Sequence, residues 1–211
     1  MRVVMWFSSR TRRAYSSSAV VLAAALATWT IHSWRAPREV VAGELFRSAQ
    51  LDVDDLARCV REEGIRSVLS LRGRSAKDED YDAEIAWCRA NGVVHVSVPL
   101  TPTRVPDAET ANALLHALDT LPAPVLVHCK EGCDRTGMAV VVYLVTRGLA
   151  NLDDAIDAEM SVTTGHFSFG QSRAMDAFFQ QYRDEARGRS LRSWIEHRRA
   201  IVASTHESSP R

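Results

Sequence analysis

The run Val125-Leu126-Val127 reads as a short buried strand. It is followed by HCKEGCDRTG, His128 to Gly137, and the chain then resumes as a largely apolar helix over Thr136 to Arg147. A strand that ends in a few polar or tiny residues and passes straight into a helix fixes a local α/β arrangement. It also aims several backbone N–H groups at one point, where the helix dipole adds positive potential. Such a loop holds phosphate or a similar oxyanion. Gly132 lets the backbone fold tightly, and Arg135 offers a planar fork for two oxygens at once. Lys130, Glu131 and Cys133 complete the candidate substrate-binding set. The same environment favours the thiolate of Cys129. A thiolate beneath a bound phosphate monoester is placed for in-line attack on phosphorus, giving a cysteinyl-phosphate that water then hydrolyses.

The rest of the body alternates strand and helix signals. Val40 to Arg47 and Ile65 to Leu71 read as extended, with a helix over Val53 to Glu63 between them. Asp52 is its expected N-cap and Gly64 its stop. Asp78 to Ala90 is helical and Val93 to Val98 is a β-branched run. Pro99 to Pro106 is a loop with three prolines. Asp107 to Leu121 is helical, with Leu114, Leu115 and Leu118 as an apolar stripe. This order predicts an α/β fold with a central, mainly parallel sheet flanked by helices and the phosphate-binding loop between a strand and a helix. No internal repeat is present.

The N-terminus is a separate object. Residues 1 to 38 hold six arginines and no acid, although the whole chain has a formal charge of zero. The remainder is therefore mildly acidic, which argues against nucleic-acid binding. Within the basic stretch, Ala19 to Ala27 is wholly apolar, and residues 1–36 read as a signal anchor or a signal peptide, with Ala25-Leu26-Ala27 as the competing cleavage signal. More positive charge precedes the apolar segment than follows it, which puts the body across the membrane on the non-cytoplasmic side. A reactive unpaired cysteine is better suited to a reducing cytosol, so the side stays open. Residues 186–211 read as an Arg-rich helical or partly disordered tail. The four cysteines lack the paired spacing of a zinc site, so no metal and no cofactor are expected.

The string His, Cys, two residues, Gly, two residues, Arg, Thr, Gly resembles the signature of the cysteine-dependent protein tyrosine and dual-specificity phosphatases. GELFRSAQL (Gly43 to Leu51), IRSVLSLRG (Ile65 to Gly73) and GHFSFGQSRAMDAFF (Gly165 to Phe179) are similar to segments of bacterial membrane-anchored members of that superfamily. The resemblance covers about residues 38 to 183, and a phosphatase domain is set at 37–185. It implies a dual-specificity phosphatase-like fold, Cys129 as nucleophile, Arg135 as phosphate clamp and Thr136 as the hydroxyl that assists breakdown of the intermediate. It also implies a phosphorylated protein as substrate, with a phospholipid or inositol phosphate as the alternative. A phosphate-binding module without turnover is the alternative of another class, and arsenate reduction or sulfur transfer fits the surrounding segments poorly.

The general acid departs from the pattern of the larger relatives, which take it from a loop that here falls in Ser97 to Arg104 and contains no carboxylate. Asp134, inside the signature, is the expected acid; Asp107 is the other candidate, at a position that also fits a helix N-cap. His128 adjoins the nucleophile, but neighbours at a strand end point apart, which argues against a cysteine–histidine pair. Cys133 could pair reversibly with Cys129. Cys59 and Cys88 read as core. Arg47 and Arg72 are placed to touch or brace the phosphate site, and His166, Phe167 and Phe169 to line a cleft or pack.

Overall fold

The structure is a computed structural model that describes residues 19–22, 35–74, 78–168 and 173–207. The described residues from Arg35 onward belong to one compact unit. Its elements are β1 (Arg38–Val41), β2 (Leu45–Ser48), α1 (Val53–Glu63), β3 (Ser67–Ser70), α2 (Glu79–Ala90), β4 (Val94–Ser97), α3 (Ala108–Thr120), β5 (Val125–His128), α4 (Asp134–Thr146), α5 (Leu152–Glu159), a 3-10 turn (Val162–Thr164), α6 (Arg173–Glu185) and α7 (Leu191–Glu207).

The sheet order is β1-β2-β5-β3-β4. β2, β5, β3 and β4 are parallel, and β1 alone runs antiparallel, at the edge. The parallel register sets Ser48, His128, Ser70 and Ser97 side by side at the carboxyl ends of their strands. That is the edge where ligands of open α/β sheets bind. Residues of alternate parity cover the two faces. Leu45, Leu69, Val125 and Val127 pack into a large core with α3, α4, α6 and α7. Phe46, Val68 and Leu126 face α1 and α2 through Leu56, Cys59 and Cys88. α4 runs through the centre, buried continuously from Thr136 to Tyr143.

The capping signals act as their chemistry predicts. The Asp52 side chain accepts the Asp55 N–H at 2.8 Å, and Gly64 closes α1 with φ of +66°. Val40 to Arg47, expected as one extended segment, is instead a hairpin. Gly43 turns at φ +66° and Glu44 N–H donates to the Val41 carbonyl, which separates β1 from β2. The residues after 185 belong to the same core. Leu191, Trp194 and Ile195 on α7 are buried, and the Trp194 ring meets Phe178 edge-on at 5.2 Å. A buried side chain of this size contributes about 2–3 kcal/mol, so the domain extends past the boundary drawn at 185. The signal segment expected in residues 1–36 lies outside the described residues except for 19–22 and 35–36. Among the described residues no helix is long and apolar enough to cross a membrane.

Candidate active site

β5 delivers the chain to the sheet's carboxyl edge, and the backbone then folds tightly before α4 begins at Asp134. Cys129 sits at the bottom of this loop, 2% exposed, and its Sγ accepts the Gly132 N–H at 3.2 Å. Gly132 has φ of +76°, and a Cβ there would lie 2.7 Å from Ala49 N and 2.8 Å from the Ser48 carbonyl. Both the conformation and the space require glycine.

Arg47, 2% exposed on β2, holds the loop from behind. Its Nη2 donates to the Gly132 carbonyl at 2.6 Å and its Nη1 to the Glu159 carbonyl at 3.0 Å and to the Glu159 carboxylate. Burial draws the guanidinium pKa down against the opposing pull of Glu159. Arg47 is therefore a brace, not a phosphate contact. Arg135 is fixed on the other side. Its Nη1 donates to the carbonyls of Leu71, after β3, and Leu100, after β4, each at 3.3 Å. Anchored at that one nitrogen, the fork keeps a second edge for an anion. Thr136 is fully buried, and its hydroxyl has no hydrogen-bond partner among the described residues. Lys130 and Glu131 are exposed at the loop's outer side, Glu131 in an ion pair with Arg35.

Cys133 is buried, with its Sγ donating to the Glu131 carbonyl at 3.3 Å. Burial pushes its thiol up to about 12, helped by the neighbouring Cys129 and Asp134, so it stays protonated. All four cysteines are free. Cys59 and Cys88 are core residues whose thiols burial raises to about 11 and about 12. Among the described residues no cluster of His, Cys, Asp or Glu could hold a metal ion.

The two candidate acids are separated by their surroundings. Asp107 caps α3, accepting the Thr110 N–H at 2.8 Å, and that bond holds its carboxyl below the usual range. It lines a small cavity with Leu100 and Arg104 beside the site, but the carboxylate is committed to the helix end. Asp134, half-buried in the first turn of α4, has Oδ1 2.7 Å from Nδ1 of His166. His166 is buried, whereas Phe167 is exposed and Phe169 lies outside the described residues.

A buried polar chain behind the nucleophile escaped the sequence reading. Glu84 on α2 is 2% exposed, and its Oε1 lies 3.1 Å from His128 Nε2 and 2.9 Å from His95 Nε2. Gln50 donates to the same carboxylate and accepts from Arg72 at 2.9 Å, and Arg72 continues to Asp78 at 2.6 Å. The other ring nitrogen of His128 is 3.3 Å from the Cys129 carbonyl oxygen. His128 thus ties the strand end to α2, and Arg72 braces the network instead of touching the phosphate site. The available signal was an acid on the buried stripe of a helix, at the i, i+3 and i+7 positions Tyr81, Glu84 and Cys88.

Burial raises the Glu84 pKa, but the hydrogen bonds with His128 and His95 outweigh it and bring it down to about 2. A folded value below the unfolded ~4.3 means that stability is present above that pH and lost as pH falls toward 2. Glu84→Gln is expected to lower stability by about 3 kcal/mol at pH 7. The gap to the parent protein should close between about pH 4 and pH 2 in chemical-denaturation curves.

A five-stranded, mainly parallel sheet with an anion cradle at the N-terminus of its central helix is the architecture of the cysteine-based tyrosine and dual-specificity phosphatases. The chain belongs to the polymorphic toxin system DSP-PTPase phosphatase family, whose model matches residues 43–149. Over 103 residues it is 35% identical to the dual specificity protein phosphatase TpbA of Pseudomonas aeruginosa strain UCBPP-PA14, covering 48% of this chain and 43% of that protein. The chain thus aligns with less than half the length of the curated relatives it matches. Two solved structures share the fold. One is a cysteine-to-serine variant of P. aeruginosa TpbA in complex with pTyr, at 22% identity and a TM-score of 0.50, covering 80% of this chain and 96% of that one. The other is the core catalytic domain of a PP-IP phosphatase from S. cerevisiae in complex with citrate, at 17% identity and a TM-score of 0.52, covering 68% and 86%.

Proposed function

We propose that this chain is a phosphoric monoester hydrolase of the protein tyrosine and dual-specificity type, working through a phosphate carried on Cys129. The observation that carries the reading is the buried Sγ accepting the Gly132 N–H inside a cradle whose Arg135 is pinned by two carbonyls. In the first step Sγ attacks phosphorus, the bond to the ester oxygen breaks, and the Asp134 carboxyl gives that oxygen its proton. In the second step water attacks phosphorus, the S–P bond breaks, and Asp134 takes the proton from water. The buried Thr136 hydroxyl supplies a donor for the departing sulfur. Arg135 and the loop amides hold the phosphoryl oxygens throughout.

Phosphotyrosine in a protein is the proposed substrate, which agrees with the pTyr held by the TpbA variant. The apolar Ala19 to Ala27, flanked by arginines, supports a signal anchor that holds the domain at a membrane, and the charge bias supports the non-cytoplasmic side. Assays of the full chain on phosphotyrosine peptides, phosphoserine peptides, phosphatidylglycerol phosphate and phosphoinositides test the substrate. The highest kcat/KM is expected on phosphotyrosine. A preference for the lipids moves the substrate to a phospholipid or inositol phosphate headgroup, and binding without turnover leaves a phosphate-recognition module. Asp134→Asn tests the acid. It should lose about 10²- to 10³-fold more kcat on phenyl phosphate than on p-nitrophenyl phosphate, whose leaving group needs little protonation.

A further inference from the structure

We infer that His166 and Asp176 form, with Asp134, a carboxyl–imidazole–carboxylate unit around a buried ring that positions the general acid and stabilises it once its proton has gone. The inference rests on the reading of Asp134 as the acid.

Three separate elements converge to make the unit. Asp134 is the first residue of α4, and Asp176 lies in the first turn of α6. His166 follows the 3-10 turn, where Gly165 adopts φ of +78° and the His166 N–H donates to the Ser161 carbonyl at 2.9 Å. The His166 side chain is 0% exposed, with Nδ1 2.7 Å from Asp134 Oδ1 and Nε2 3.0 Å from Asp176 Oδ1. With a proton on each nitrogen the ring donates to both oxygens at once, and Asp134 Oδ1 accepts whether or not the other oxygen of that carboxyl carries its proton. Burial alone would discharge the ring, but its hydrogen bonds to Asp134 and Asp176 outweigh burial and raise its pKa. The second oxygen of Asp176 is buried with no partner among the described residues, so this carboxylate is committed to the imidazole.

The consequence for chemistry follows from the charges. As the P–O bond breaks, the proton leaves the Asp134 carboxyl for the ester oxygen, and a carboxylate is left in a half-buried site. The imidazolium N–H already points at Oδ1 of that carboxylate, so the charge appears where a donor waits. When water later returns a proton to Asp134, the unit is restored, and His166 itself gains and loses nothing. His166 and Asp176 are positioning residues that act through Asp134.

The test is leaving-group dependence in the full chain, using phenyl phosphate and p-nitrophenyl phosphate. His166→Asn, which keeps a neutral donor, should lower kcat on phenyl phosphate by about 10- to 100-fold relative to p-nitrophenyl phosphate, with KM unchanged. In a background of Asp134→Asn the same substitution should add no further selective loss. Equal losses on both substrates, or selective losses that multiply in the double variant, overturn the inference. If thermal melts show that His166→Asn does not fold, Asp176→Asn on the partly exposed partner carries the same criteria. If Asp134→Asn has no selective loss, the acid assignment fails and the inference with it. If Asp134→Asn is selective and His166→Asn is not, only the inference fails.

Discussion

Cys129→Ser is expected to abolish turnover of every phosphate monoester, by on the order of 10⁵-fold or more, while inorganic phosphate still binds within a few-fold of the parent affinity. The size of the loss follows from what surrounds the sulfur. A sulfur nucleophile attacks without a neighbouring base, and the partner of Sγ is the Gly132 N–H, which donates and cannot take a proton. A serine hydroxyl in its place would need a base. The adjacent histidine does not serve, because the His128 ring nitrogens face Glu84 and the Cys129 carbonyl oxygen, away from the reacting atom. The amides and Arg135 are untouched by the substitution, so the cradle remains. Isothermal titration with phosphate, steady-state assay with p-nitrophenyl phosphate and acid trapping with labelled substrate check the three consequences. Label retained on the parent protein and absent from the serine variant places the intermediate on residue 129. Turnover by the serine variant within a hundredfold of the parent would rule out sulfur as the nucleophile.

How much of this was legible in the sequence depends on the range of the interaction involved. Local chemistry read cleanly. Asp52 and Gly64 bound α1 as N-cap and left-handed stop, and the lack of a carboxylate in Ser97 to Arg104 was visible as a departure from the larger relatives. The signature itself is a local feature, so Gly132 and the strand–loop–helix order were visible without any tertiary information. What failed was long-range, apart from one local turn. One β-rich run from Val40 to Arg47 becomes two strands because Gly43 turns the chain back on itself. The C-terminal helix enters the core because Trp194 finds Phe178, a neighbour that periodicity within α7 does not name. Glu84 and His166 were hidden for the same reason. An acid on a helix stripe and a histidine among phenylalanines acquire meaning only when the sheet register brings His128 and the loop brings Asp134 beside them.

Arg135→Lys keeps the charge, and it is nonetheless expected to lower kcat/KM by about 10³-fold and to weaken phosphate binding clearly, which separates it from the serine variant. The guanidinium does two things at once. Nη1 bridges the carbonyls of Leu71 and Leu100, at the ends of two different strands, and this fixes the plane in which the other nitrogens can meet an anion. A lysine ammonium has three rotating donors on a flexible stem and no plane to fix. If it satisfies the two carbonyls it is drawn away from the phosphoryl group, and if it follows the phosphate it leaves both carbonyls without their donor. The pentavalent transition state spreads charge over oxygens that only a bidentate group meets together, so kcat should fall more than KM rises. Steady-state kinetics on p-nitrophenyl phosphate, paired with phosphate titration, measure the two effects separately. A lysine variant within tenfold of the parent in kcat/KM would mean that the site needs only charge, and the planar clamp would then have no part in the chemistry.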